Sequence, residues 1–241
     1  MKSAGACFTP DLRCSLNAAH HASKLSQCIE FVTEWRDILR LVSRQAWKSN
    51  MTTELRFTSA DLEVMPDDGK RYEVIDGELY VSKQPNYHHQ YTCSEIAWHL
   101  ASWAKKTGNG RVVQAPGLIF AENDDVAPDV IWISSERLPI ALGEDGKFHK
   151  APELIIEVLS PGFANEKRDR DAKLKLYSRR GVDEYWIVDW LMRSVEVYRR
   201  QNAALHLIDV LRGPDILRTP LLTGFSCEVA SLFDDDLPQT A

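Results

Sequence analysis

The 241-residue chain predicts an α/β protein, a mixed sheet flanked by helices, and three observations predict it. Short apolar runs of strand length recur along most of the chain. Two longer segments carry helical periodicity, and a glycine follows each of them. The order of these segments, a helix, three strands, a second helix and then strands again, is that of an α/β sandwich built on one mixed sheet.

Taken in order, residues 1–50 stand apart from the rest. They hold Cys7, Cys14 and Cys28, three of the five cysteines, and an amphipathic helix over residues 25–47 with Ile29, Val32, Trp35, Ile38, Leu39 and Val42 on its apolar stripe. Met51 reads as a natural start. Residues 51–241 are therefore expected to form the folded domain, and residues 1–50 a helical or partly disordered extension dispensable to it. A short helix begins at Ser59-Ala60-Asp61-Leu62. A hairpin follows over residues 71–82, its turn Asp76-Gly77 supplying the positive φ angles that a tight turn demands. A helix over residues 88–106 places Ile96, Leu100 and Trp103 on one face, and Gly108 stops it. Strands are expected at 111–120, 126–134 and 153–159. Ser160-Pro161-Gly162 breaks the chain before a second helix over 165–180, which Gly181 ends. Strands at 184–188, 194–198 and 205–211 complete the sheet, with Trp186 in its core.

Composition narrows the function classes. No stretch approaches the roughly 20 apolar residues of a bilayer helix, and the N-terminal residues lack the apolar core of a signal peptide, so a cytoplasmic protein is expected. Five scattered cysteines with no C-x-x-C pair indicate neither a disulfide framework nor a zinc site. The net charge of −6 leaves no overall basic footprint for nucleic acid. Locally, Lys167, Arg168, Arg170, Lys173, Lys175, Arg179 and Arg180 crowd around only Glu166, Asp169 and Asp171. Such a run is either a phosphate-facing patch or a solvated helix face.

Two carboxylates carry the chemistry. Asp129 lies in Ala127-Pro128-Asp129-Val130-Ile131-Trp132-Ile133, and Glu157 in Leu154-Ile155-Ile156-Glu157-Val158-Leu159. An ionised carboxylate in an apolar strand is costly unless it is paired or holds a metal. Two of them in neighbouring strands suit Mg²⁺, which takes oxygen ligands and leaves positions for a phosphate, and phosphodiester cleavage is the reaction this suggests. The competing structural reading makes Asp129 a strand cap and Glu157 half of a salt bridge.

The string Arg71-Tyr72-Glu73-Val74-Ile75-Asp76-Gly77-Glu78-Leu79, then His89-Gln90, Pro128-Asp129, Glu157-Val158-Leu159-Ser160-Pro161, Asp169-x-x-x-Lys173-x-x-x-Tyr177 and Gly181-Val182-Asp183-Glu184-Tyr185-Trp186-Ile187-Val188-Asp189 resembles the Uma2 family, restriction-endonuclease-like proteins of the PD-(D/E)XK superfamily. The resemblance runs from about Leu55 to the C-terminus. It implies a restriction-endonuclease-like fold and a metal-dependent endonuclease hydrolysing DNA. Asp129 and Glu157 would be catalytic ligands of Mg²⁺ or Mn²⁺. In a (D/E)XK strand a lysine stands two residues after the glutamate, and that place holds Leu159. Lys173 is the candidate replacement, and Asp169, Lys173 and Tyr177 share a helix face by spacing; on spacing alone an exposed Asp169–Lys173 pair explains them equally well. Glu73 is either a third acid near the metal or a polar residue on the open face of the hairpin. His89 is either a phosphate contact or a structural histidine at a helix start. A catalytically silent nucleic-acid-binding or interaction module that keeps the fold is the alternative function, favoured by the net acidity and by Leu159. A nuclease that cuts both strands usually presents two sites, so a homodimer is the expected assembly.

Overall fold

The computed structural model describes residues 55–234. The expected helix at 25–47 and the boundary at Met51 lie outside the described residues. Within them the order is α1 (Ser59–Glu63), β1 (Arg71–Ile75), β2 (Glu78–Ser82), α2 (Tyr87–Thr107), β3 (Arg111–Gln114), β4 (Leu118–Ala121), β5 (Asp124–Val126), β6 (Val130–Ile133), α3 (Leu138–Ala141), β7 (Leu154–Val158), α4 (Phe163–Lys167), a π-helical turn (Arg168–Lys173), α5 (Leu174–Arg180), β8 (Glu184–Asp189), β9 (Ser194–Gln201), β10 (Ala204–Arg212), β11 (Ile216–Leu217) and β12 (Cys227–Glu228), then a 3₁₀ turn (Val229–Leu232).

The expected mixed sheet is present, with six strands in the order β10-β9-β8-β7-β6-β3. Its β7–β8 pair is parallel and the other neighbours are antiparallel. The expectation of a single sheet is corrected. A second, four-stranded antiparallel sheet, β2-β1-β5-β4, takes up the hairpin, and β11 and β12 form a small ribbon. The reason lies in two breaks. The run expected at 111–120 splits at Ala115-Pro116-Gly117, where Ala115 has φ 47° and Pro116 offers no N–H to a ladder. The run expected at 126–134 splits at Ala127-Pro128-Asp129. The breaks face one another, since Ala115 N–H donates to the Asp129 carbonyl at 3.0 Å. One long bent ribbon thus leaves the large sheet as β3 and β6 and enters the small one as β4 and β5.

Each face of the large sheet carries its own core. Leu154, Ile156 and Val158 pack with Trp186, Val188 and the Ile96 and Leu100 stripe of α2. Ile155 and Leu159 turn the other way, toward Leu176 and Tyr177 of α5, and period-two alternation puts Glu157 on this second face. The turn at Asp76-Gly77 has φ 52° and 77°, as the sequence requires. Helix α2 starts where the Asn86 side chain accepts from His89 N–H at 2.9 Å and ends at left-handed Gly108, the usual capping chemistry at both ends. The second helix is not continuous: it begins at Phe163 and widens into the π turn before α5. Inserted turns of this kind are frequent at functional sites because they re-aim side chains.

Asp124 joins the small sheet to the end of α5. Its side chain is buried at 2 %, accepts from the Asp76 N–H at 2.8 Å and pairs with Arg180. Asp124→Ala removes the side-chain acceptor of the Asp76 N–H and the carboxylate paired with Arg180. Urea unfolding of this variant is expected to show a loss of roughly 2–3 kcal/mol, below the full cost of a broken buried pair because Arg180 is partly exposed.

Candidate active site

Asp129 ends the bend that precedes β6, and Glu157 lies near the end of β7. The antiparallel register Val130↔Ile156, Ile131↔Ile155, extended by one residue, sets them opposite each other. Asp129 is 5 % and Glu157 1 % exposed. The Asp129 Oδ2 accepts from the Val158 backbone N–H at 2.9 Å and lies 3.3 Å from His89 Nε2, while Oδ1 accepts from Arg71 Nη1 at 2.9 Å. Burial alone would raise the Asp129 carboxyl, but the His89 contact and the Arg71 and Lys173 charges outweigh it and hold it well below the usual range.

Lys173 closes the π turn and is fully buried. Its Nζ lies 2.9 Å from Glu157 Oε1 and 2.9 Å from Glu73 Oε1, with Asp169 Oδ1 farther off at 3.9 Å. The Tyr177 hydroxyl, one helical turn on, donates to the same Glu157 oxygen at 2.7 Å. The exposed-pair explanation of Asp169 and Lys173 is thereby overturned: Asp169 is itself fully buried, is gripped by Arg168 Nε at 2.8 Å, and stands second to Glu157 and Glu73 around the ammonium. Glu73 is likewise not on an open hairpin face. It is 1 % exposed, accepts from the Ala127 N–H at 3.0 Å, and its Oε2 has no hydrogen-bond partner among the described residues.

The charges do not cancel. Glu73, Asp129, Glu157 and Asp169 face Arg71, Arg168 and Lys173, so the cluster holds one carboxylate more than it has cations. The excess shows at Glu157. Burial pushes its carboxyl up, Lys173 opposes this, and the neighbouring acids Asp129, Asp169 and Glu73 add to it, so that it rises to about 8. Lys173 moves up as well, because Glu157 and Glu73 outweigh the cost of burying its charge. Lys173 is thus a firmly held ammonium, and Glu157 is the place where the surplus negative charge takes up a proton.

Sequence reasoning gave no site role to Arg71 or Cys93 and placed Arg168 only in the basic run. Arg71 opens the hairpin string and was visible there without a role. Cys93 lies four residues after His89, one turn along the buried stripe of α2, and its Sγ is 3.6 Å from His89 Nδ1. Burial, then the Asp129 and Glu157 charges, push the Cys93 thiol up, and its Sγ meets His89 Nδ1 while Nε2 faces Asp129. Arg71, His89, Asp129 and Arg168, with Lys70 and Lys83, line a cleft of about 200 Å³. A neighbouring cleft of about 330 Å³ shares Lys83, His89 and Ser160 with it. The basic run at 167–180 is not a free phosphate-facing patch. Arg170 pairs with Glu166 and Glu196, Lys175 with Asp171, Arg179 with Asp76 and Arg180 with Asp124, while Arg168 and Lys173 are buried in the cluster.

A carboxyl raised by folding stabilises the native state most below its unfolded value of about 4.5 and loses that contribution as pH rises through about 8. Asp129, shifted down, behaves oppositely and loses its contribution only in acid. The stability difference between the wild type and Glu157→Gln should therefore move against the wild type from about pH 5 to about pH 9. Urea denaturation at both ends checks this; a difference independent of pH would mean that Glu157 is ionised throughout.

Residues 59–230 match the Uma2 family, whose description reads "Putative restriction endonuclease". Among solved structures, the chain is similar to a protein of Anabaena variabilis ATCC 29413 described as "a putative nuclease belonging to DUF820", at 22 % identity and a TM-score of 0.61, covering 73 % of this chain and 97 % of that one. No curated protein matches. Among the described residues no helix is long and apolar enough to cross a membrane. With the two-sheet α/β frame and the converging Asp129, Glu157 and Lys173 already in view, a match over residues 59–230 means that the chain belongs to the Uma2 family, within the PD-(D/E)XK-like nuclease superfamily and with its restriction-endonuclease-like fold.

Proposed function

We propose that this chain is a metal-dependent endonuclease hydrolysing DNA phosphodiester bonds, with Asp129 and Glu157 as ligands of Mg²⁺ or Mn²⁺ and Lys173 as the lysine that the β7 strand lacks at Leu159. The observation that carries this reading is the 2.9 Å contact of Lys173 Nζ with Glu157 Oε1, made from the following helical segment. The cluster suits a hard divalent cation on its own chemistry: its donors are carboxylate oxygens, it carries surplus negative charge, and the buried Glu73 Oε2 has no hydrogen-bond partner among the described residues, its nearest cation being Arg168 at 4.0 Å. Such a cation would supply Lewis-acid polarisation of the phosphoryl oxygens and a more acidic water.

The chain's own groups supply the rest. Lys173, fixed as an ammonium, cannot accept a proton. Two of its three N–H bonds go to Glu157 and Glu73, with Asp169 Oδ1 next at 3.9 Å, and the ammonium would offset charge on the phosphorane. Arg71 and Arg168 line the cleft as fixed positive charges, Arg71 bonded to Asp129 and Arg168 to Asp169, and their charge would attract a phosphate there. Glu73 and Asp169 hold Lys173 and Arg168 in place, and Tyr177 fixes the Glu157 rotamer. The alternative of a silent binding module is favoured by one observation: Glu157 and Lys173, 1 % and 0 % exposed, do not themselves line the cleft.

Plasmid nicking in Mg²⁺ or Mn²⁺ decides between them. The nuclease reading expects cleavage that chelation stops, that Asp129→Ala and Glu157→Ala abolish, and that Lys173→Ala lowers by about 10²-fold or more, the scale of a positioned proton-transfer or charge-stabilising group. Lys175→Ala, at an exposed pair with Asp171, should change little beyond salt dependence. Equal, small effects of the two lysine substitutions would contradict the role of Lys173, and no metal-dependent nicking at all would favour the silent module.

A further inference from the structure

Asp129 is shared by two donor sets of different chemical character. On one side stand the carboxylates of the cluster. On the other, His89 and Cys93 sit one turn apart on α2, with Sγ 3.6 Å from Nδ1 and Nε2 3.3 Å from Asp129 Oδ2. One ligand atom from each of His89, Cys93 and Asp129 lies within 4.8 Å of the others, and all three residues are buried. Cys93 and Asp129 face different imidazole nitrogens and one ion takes only one of them, so the single-donor set spans up to 4.8 Å, and a turn of the His89 ring would bring it to the roughly 3.3–3.7 Å donor separation of tetrahedral zinc. Thiolate, imidazole and carboxylate form a set that zinc accepts and Mg²⁺ does not favour. His89 and Asp129 both line the cleft, which gives an ion a way in and leaves a fourth position open to water.

We infer that His89, Cys93 and Asp129 form a zinc-selective site, and that zinc bound there inhibits the enzyme by occupying the Asp129 carboxylate, which the nuclease reading gives to the catalytic ion. On binding, the Cys93 S–H bond breaks, its proton passes to solvent and the sulfur's electron pair forms the bond to the metal. The inhibitory part rests on the nuclease reading; the site does not, and its test is separate from activity.

Co²⁺ serves as a spectroscopic stand-in for zinc in the full-length protein. One equivalent should produce a thiolate-to-cobalt charge-transfer band in the near ultraviolet, which zinc erases and millimolar Mg²⁺ leaves in place. Cys93→Ser and Cys93→Ala should both lose the band, whereas Cys227→Ser, at the other buried thiol, should keep it. In the nicking assay, Cys93→Ser should need at least about tenfold more zinc for half-inhibition, each variant being compared with its own zinc-free rate. A wild type without the band, or a band surviving in both Cys93 variants, overturns the site. A band that depends on Cys93 together with zinc sensitivity that does not overturns the inhibition alone. A Cys93-dependent band in a protein that never nicks DNA upholds the site while the nuclease reading fails.

Discussion

A lysine ammonium with no exposure to water is the constraint around which the rest of this structure is arranged. Burying a unit charge costs several kcal/mol even after relaxation, and only close partners offset it. Lys173 has them in Glu157 and Glu73, each at 2.9 Å. Those carboxylates arrive from different sheets, Glu157 from β7 of the large sheet and Glu73 from β1 of the small one. The ammonium therefore ties the two sheets together at the point where Asp129 is also held. Arg168 and Asp169, next to it on the π turn, extend the same network. The one-residue widening of the helix is what lets Arg168, Asp169 and Lys173 all turn inward, where a regular helix would present part of this charged run to solvent.

The bent ribbon supplies the second half of the arrangement. If β3–β4 and β5–β6 ran straight, the sheet would continue past Asp129 and the carboxylate would lie within a ladder. The breaks at Pro116 and Pro128 end the large sheet there. The Asp129 side chain then takes, at 2.9 Å, the Val158 N–H that a straight continuation of β6 would pair through its backbone. This ties Asp129 to β7 immediately after Glu157. The site thus depends on a backbone feature, two prolines and a left-handed Ala115, as much as on the acidic residues.

Much of this was legible in the chain. The Asp76-Gly77 turn, the Gly108 and Gly181 stops and the alternation that turns Glu157 from Ile156 all follow from local rules, as does the placement of Asp129 and Glu157 on neighbouring strands. The division into two sheets was not recovered, although Pro116 and Pro128 marked the bends, because continuous apolar runs on either side masked them. The fate of the basic run was also hidden. Asp169, Glu166 and Asp171 pair within the run, but Asp76, Asp124 and Glu196 lie far away in sequence, so local charge counting could not show that Arg179, Arg180 and Arg170 are paired through the tertiary fold. Lys173 was proposed from its place in the motif, but its contact with Glu73 depends on the packing of the second sheet, and no spacing rule reaches across that distance. His89 and Cys93 fall on the buried stripe of α2 by simple periodicity, yet their approach to Asp129 is a tertiary fact.

The central claim is that Lys173 and Glu157 are energetically one unit. A double-mutant cycle with Lys173→Met and Glu157→Gln, read by urea unfolding at about pH 9, above the Glu157 value of about 8, measures this directly. Lys173→Met alone leaves crowded carboxylates without their shared cation and should cost about 3–5 kcal/mol. The account predicts that the double variant is more stable than the sum of the single effects implies, by about 1 kcal/mol or more. Effects that add to within about 0.5 kcal/mol would contradict it, because residues that do not interact behave in that way.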